Sequence, residues 1–438
     1  MRDRVRKVPR AVQKAEPSAN KRYIRLPLCP YLSILEGVSA EFLSPDYFKN
    51  PYDTFQDFLL NKPIFWDEKI KAWIISPYSE VEKGLSNSDL NAGERIASAS
   101  AHLSKEEKQE FSKIISTLNN WIVFQDPPSH TRLRKLVNKS FTPRSIAAFT
   151  PKLESIVDDL VTKALTKKEF DLVSELSFRL PAIVICELLG IPEERQSDVR
   201  RWSDKHAGFS ASAQVGYQAA KEANDASIEA ETYLFTLFDD LRRNPGENLL
   251  SKLANMDKSE DHLTDEELAA LTIQLFFAGF ETTEGLIGNL LIALHNNPEE
   301  KKKLLADRTK VEAAVEEALR YDSSILKQSR VASVDLEIGG QRIKKGDYCH
   351  FIIGAANRDP ARYKDANSFL VDREDLGHSS FGHGIHFCIG APLARLETKT
   401  LLEVLLERAP NLRVTQEEID YPQLFAVRKP LQLQVVNS

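Results

Sequence analysis

The chemistry in this chain is concentrated at Cys388, which stands in Phe381-Gly-His-Gly-Ile-His-Phe-Cys388-Ile-Gly390-Ala-Pro-Leu-Ala-Arg-Leu-Glu397. Glycines at 382, 384 and 390 frame the cysteine. Lacking a Cβ, they permit backbone conformations and close approaches that a side chain would block, so the loop can press a sulfur against a flat ligand. The segment runs directly into an amphipathic stretch. Backbone N–H groups at the start of a helix there, those of Ile389 and Gly390, can point at the sulfur and favour its anionic form. The thiolate, not the thiol, binds metal. The plainer reading of a lone free cysteine is a small buried hydrophobe, which would not need this glycine framing. Cys29, Cys186 and Cys349 lie far apart, with neither C-x-x-C spacing nor neighbouring histidine pairs. They read as ordinary reduced thiols, and neither a zinc site nor a redox dithiol is expected.

A second constellation is Ala278-Gly279-Phe280-Glu281-Thr282-Thr283, where glycine and adjacent polar residues interrupt an apolar run. Glycine inside a helix costs about 1 kcal/mol relative to alanine, and buried polar groups are costly unless paired. Such an interruption calls for a functional reason. A carboxylate next to a hydroxyl suits proton transfer, although a glutamate on a solvated helix face beside two threonines would read the same.

The elements that must carry these residues are legible in outline. Thr264-Asp-Glu-Glu267 is a capping-box pattern with Leu263 and Leu268 placed as a hydrophobic staple. The spacing of Leu268, Leu271, Leu275, Ala278, Phe280, Leu286 and Leu290 predicts a helix of about thirty residues from Asp265, ending before Asn296-Asn297-Pro298. Glu317 and Arg320 share a face of a helix ending near Tyr321. Beyond Arg330, Asp335 to Ile343 reads as a hairpin turning at Gly339-Gly340, and Asp347 to Ile353 as a further strand.

The cysteine segment carries the whole Phe-Gly-x-Gly-x-x-x-Cys-x-Gly pattern and resembles the heme-binding loop of the cytochrome P450 family, in the form typical of soluble bacterial members. Matching motifs run from about residue 120 to the C-terminus, and residues 40 to 120 match more loosely. The resemblance implies a mainly α fold with a small β-rich region and a long central helix over the heme. It also implies one catalytic domain over 26–438 behind a basic tail at 1–25. Cys388 would be the proximal thiolate on the iron, in a cradle that includes Phe381, Ile389, Gly390 and Ala278. Gly279 would let the central helix pass close to the distal face, and Glu281 and Thr282 would manage protons beside bound oxygen. Glu281 stands where bacterial relatives more often carry aspartate. Glu317-Ala-Leu-Arg320 resembles the family's Glu-x-x-Arg, a structural pair behind the heme, with Arg358 in Asn357-Arg358-Asp359-Pro360 as its third member. Heme propionates need cationic or hydrogen-bonding partners; His130, Arg134, Arg330 and His386 match that role.

The implied cofactor is heme b, with O2 as co-substrate and electrons ultimately from NAD(P)H. The implied reaction places one oxygen atom in a small organic substrate and releases the other as water. The sequence carries no evident flavin or nicotinamide fingerprint, so a separate ferredoxin and its reductase are the expected partners, with Arg132, Lys135, Lys139 and Arg395 as a basic docking patch. Leu275, Ala278, Ile325, Leu326 and Phe425 are the candidate pocket walls. Lys327 stands where relatives often have an apolar residue; it either points outward or meets a substrate carboxylate. A peroxide-using heme enzyme, a noncatalytic heme-thiolate sensor and a redox or zinc protein are the rival classes.

With 438 residues, 42% of them hydrophobic and 28% charged, the chain can bury a large core. A net charge of −6 argues against a nucleic-acid binder, which needs a concentrated basic surface. Residues 1 to 25 hold nine Lys or Arg against Asp3 and Glu16, which reads as a solvated tail. With no evident secretory signal and no apolar run of the roughly 20 residues that span a bilayer, a monomer in the cytoplasm is expected.

Overall fold

The computed structural model describes residues 44–101, 103–210, 216–257 and 261–437; the basic segment 1–25 and Cys29 lie outside them. The described chain is mainly α-helical with three small sheets. Its axis is the helix Asp265–Asn296, 32 residues long and so about 48 Å from end to end. The predicted cap closes it: Glu267 N donates to Thr264 Oγ1 at 3.2 Å and Thr264 N to the Glu267 carboxylate at 3.0 Å. Leu263 and Leu268 are both buried beside this cap. The helix stops at Asn296, and Pro298 opens the next helix.

A helix apolar on all sides must be wrapped by others. One flank of the central helix packs on Arg179–Leu189, Gln196–Ser210 and Tyr217–Arg243, which share the main apolar core with it. The other flank meets Val311–Tyr321 and the helix after the cysteine, Ala391–Arg408, around a second core built on Leu290, Leu319 and Leu402. The cysteine loop is thus held against the middle of the molecule by a helix anchored in that core.

The predicted hairpin is present as Leu336–Ile338 and Gln341–Ile343, and the further strand as Tyr348–Phe351. The largest sheet has the order Ile64–Asp67, Ala72–Ile75, Tyr348–Phe351, Gln328–Ala332, Leu90–Asn91. Within it Ser329 lies opposite His350 and Arg330 opposite Cys349. Because side chains alternate along a strand, Ser329 and Arg330 face opposite sides of the sheet. No helix among the described residues is long and apolar enough to cross a membrane.

Candidate functional site

The cysteine loop is shaped by Gly382 and Gly384, at φ +69° and +67°, a region that residues with a Cβ rarely adopt. A Cβ at Gly384 would also lie 2.9 Å from the Ser86 backbone. Gly390 is different: its φ is −80°, so it is not required there by backbone conformation. The loop closes through Cys388 N donating to Phe381 O at 2.9 Å. The Cys388 sulfur receives backbone N–H groups from Gly390 and Ala391 rather than from Ile389 and Gly390 as the sequence suggested, because the helix proper begins only at Ala391. Burial pushes the thiol up from its ordinary value, while those two amides, Arg134 and Arg395 oppose the shift.

Around this sulfur lie polar groups with no partner among the described residues. His130 is buried and neither ring nitrogen has a hydrogen-bond partner; His386 Nε2 is likewise unpaired, and the two rings stand 4.4 Å apart. Arg330 is buried and donates to the carbonyl of Ser329 at 2.8 Å. Arg134 donates to Phe387 O at 2.7 Å from the next turn of the helix that carries His130. Burial lowers the pKa of His130, His386 and Arg330, the last to about 9, and neighbouring cations lower them further. Buried polar atoms are nearly always hydrogen-bonded. Orphaned donors and crowded positive charge beside a cysteine are the surroundings that a dianionic macrocycle with a metal centre would satisfy, so the residues present fit heme.

Across the interior, Ala278 is exposed although it sits at the middle of a helix whose residues are mostly buried. Its exposure is to an internal space. Thr282, one turn on, is part-exposed to the same side and donates its hydroxyl to Ala278 O at 3.0 Å. At Gly279 a Cβ would lie 3.0 Å from Ile185 Cγ1, so the missing side chain admits the neighbouring helix. Glu281 is buried and ion-paired with Lys429 at 3.6 Å, and Glu284 takes the same ammonium at 2.9 Å. Burial raises both carboxyl pKa values and Lys429 opposes this. The lysine arrives on the C-terminal segment, which lies so close to the central helix that a Cβ at Gly285 would be 2.8 Å from Arg428 O. Sequence reasoning missed Lys429 and Glu284; the Gly285-x-x-Gly288 pair was the available signal.

The polar lock behind the cysteine loop is Glu317 with Arg320 and Arg373. Arg320 donates to both Glu317 oxygens at 2.8 Å, and Arg373 Nε to the same carboxylate at 2.9 and 3.1 Å. All three side chains are buried. Arg358 is not the third member. Its Nε donates to Tyr321 O, and its guanidinium lies 3.5 Å from the Tyr52 ring centre and 3.9 Å from that of Tyr321. An aromatic clamp holds it away from the carboxylate.

Of the candidate pocket walls, Leu326 packs among Tyr47, Phe55 and Phe58, and Leu275 among the helices. Ile325 is part-exposed and bridges Val427, and Phe425 stands beside Lys327. The basic patch is also reduced. Arg132 is paired with Glu267 and Asp261, and Arg395 with Glu316, which neutralises these two charges; Lys135 is exposed.

The family profile Cytochrome P450 matches residues 224–434. The chain is 36% identical over 363 residues to Cytochrome P450 107B1 of Saccharopolyspora erythraea, covering 82% of this chain and 87% of that protein. It is 36% identical over 377 residues to the Cytochrome P450 monooxygenase PikC of Streptomyces venezuelae, covering 84% of this chain and 86% of the relative. Among solved structures, P450BioI in complex with a hexadec-9Z-enoic acid ligated acyl carrier protein superposes with a TM-score of 0.83 at 31% identity, over 90% of this chain and all of that one. The chain therefore belongs to the cytochrome P450 family, and it is a heme-thiolate monooxygenase supplied with electrons by a separate redox partner.

Proposed function

We propose that residues 26–438 act as one catalytic domain in the cytoplasm, with Cys388 as the thiolate ligand of heme iron and Phe381, Ile389, Gly390 and Ala278 around the macrocycle. His130, Arg134, Arg330 and His386 hold its propionates. The observation that carries this assignment is the set of buried, partnerless nitrogens of His130 and His386 beside Arg330 and the cysteine. When bound, the heme supplies the oxygen activation and one-electron chemistry that no side chain can provide.

The chain's own residues then place the substrate and move protons. Thr282 faces the internal space with its hydroxyl hydrogen given to Ala278 O, leaving its oxygen lone pairs free to orient a water. Glu281, its carboxyl raised by burial, takes up a proton nearer neutrality than an exposed glutamate and can return it inward. Lys429 positions Glu281 and limits that shift, while the neighbouring Glu284 adds to it. Glu317, Arg320 and Arg373 have no contact with the reaction; they fix the backbone of residues 357–370 that supports the cysteine loop.

The test is optical. The reduced, carbon-monoxide-treated protein is expected to absorb at the long-wavelength Soret position of thiolate-ligated heme, and Cys388→Ala to lose that band. A Cys388→Ala protein that keeps it would refute the assignment. Rapid product formation with ferredoxin and slow formation with hydrogen peroxide would separate the monooxygenase from the peroxide-using alternative.

A further inference from the structure

Lys327 does not point outward. It is part-exposed, yet desolvation is the main influence on its ammonium, and among the described residues the charged group acting on it is a second cation, Arg95. His350 and Arg95 show the same combination of partial exposure and strong desolvation. Groups that are accessible but far from bulk water line an internal space. Arg95 acts on Arg330 and His386 as well as on Lys327 and His350, so this space adjoins the cofactor cradle. Lys327 is nevertheless separate from the propionate contacts: just before the strand, it reaches Ser329, which lies opposite His350 on the sheet face away from Arg330.

The side chains on that face form a chain of donors. Lys327 Nζ donates to Ser329 Oγ at 3.0 Å, and Ser329 Oγ lies 2.8 Å from His350 Nδ1. With the serine oxygen accepting from lysine, its hydroxyl donates to Nδ1 and the neutral imidazole carries its proton on Nε2. Two lysine N–H groups and one imidazole N–H are left to point at a ligand. The Phe425 ring closes one side, 4.9 Å from Lys327 Nζ and edge-on to His350 at 5.5 Å. A buried ammonium without a carboxylate is costly.

We propose that Lys327, Ser329 and His350 form the head-group subsite for a substrate that carries a carboxylate on an apolar body. One ammonium balances one negative charge, and the remaining lysine and histidine donors match the two carboxylate oxygens. A phosphate dianion would need a second cation in direct contact, and the Arg95 guanidinium is laid over the Phe124 ring at 4.6 Å. A cationic substrate is disfavoured by the same field. The inference rests on the monooxygenase reading of the cavity and names its substrate class.

The experiment is a spectral-shift titration of the ferric holoenzyme, read in parallel by calorimetry, with matched pairs: dodecanoic acid and dodecanamide, tetradecanoic acid and tetradecanamide, and an arylpropionic acid and its amide. The acid of at least one pair is expected to bind tenfold or more tightly than its amide. Lys327→Met should abolish that difference, and Lys327→Arg, which keeps the charge, should retain it. Equal affinities within every pair, no acid-selective binding at all, or discrimination that survives Lys327→Met would each overturn the proposal. The carbon monoxide spectrum of the same samples reports separately on the heme-thiolate assignment.

Discussion

Glu281 shares the ammonium of Lys429 with Glu284, at 3.6 and 2.9 Å, although the lysine belongs to the C-terminal segment and both carboxylates to the central helix. Two buried acids on one helical turn repel each other, and the cation between them opposes the rise that burial causes in both carboxyl pKa values.

Replacing that cation should therefore change proton delivery before it changes substrate binding. In Lys429→Met the Glu281 pKa, already raised by burial, loses the group that lowers it. Its ionised form then requires higher pH, so the acidic limb of kcat should move upward. At pH 7 kcat is expected to fall about tenfold, in the range of positioned acid–base groups, and more electrons per product should be lost to hydrogen peroxide. The check is product formed per NAD(P)H consumed across pH. An unchanged acidic limb would remove Lys429 from the relay.

The buried Glu317 lock makes a contrasting prediction for two arginines. Arg373→Ala leaves a buried carboxylate short of one of its two cations, which costs about 3–5 kcal/mol. Arg358→Ala removes stacking on Tyr52 and Tyr321 and one bond to a carbonyl, for about 1–2 kcal/mol. Urea unfolding of the holoproteins should rank them in that order, and the reverse ranking would show that the clamp, not the ion triad, is the principal lock.

His130 and His386 lead to a prediction about cofactor retention. Leucine at either position fills similar space and removes a donor from a propionate. Heme transfer to excess apomyoglobin should then be about tenfold faster, as expected for loss of one charge-assisted hydrogen bond of about 1.5 kcal/mol. The position of the carbon monoxide band should not move, because neither residue touches the sulfur. A shifted band would mean that His386 acts on the thiolate instead.

The sequence revealed the parts of this site that depend on local pattern. The central helix could be bounded because Thr264 and Glu267 cap it and Pro298 follows it. Glu281 and Thr282 stood out because they interrupt an apolar run. What stayed hidden depends on contacts between distant segments. Lys429 reaches Glu281 only because Gly285 and Gly288 leave room for residues 428–430. Arg373 was passed over for Arg358 because position along the chain does not say which arginine an aromatic clamp will capture. Leu326 and Lys327 are adjacent, yet one lies in the aromatic core and the other faces the internal space. Spacing gives that alternation but not which face is the core.

The same alternation gives the head-group subsite a pH signature. Burial brings the Lys327 ammonium down to about 7, so in the ligand-free protein it loses its proton as pH rises through neutrality. A carboxylate binds the charged form and restores the proton. Of the groups facing it, Arg95 is the neighbouring cation, Ser329 and Phe425 do not titrate, and His350 is held neutral because burial pushes its pKa well below the ordinary histidine value. Affinity for the acid should therefore be flat below pH 7 and weaken about tenfold per unit above it, whereas affinity for the amide should not change. Lys327→Arg should flatten the acid's profile, since a guanidinium keeps its charge across this range. An acid profile in the wild-type protein that is level from pH 6 to 9 would place the carboxylate elsewhere.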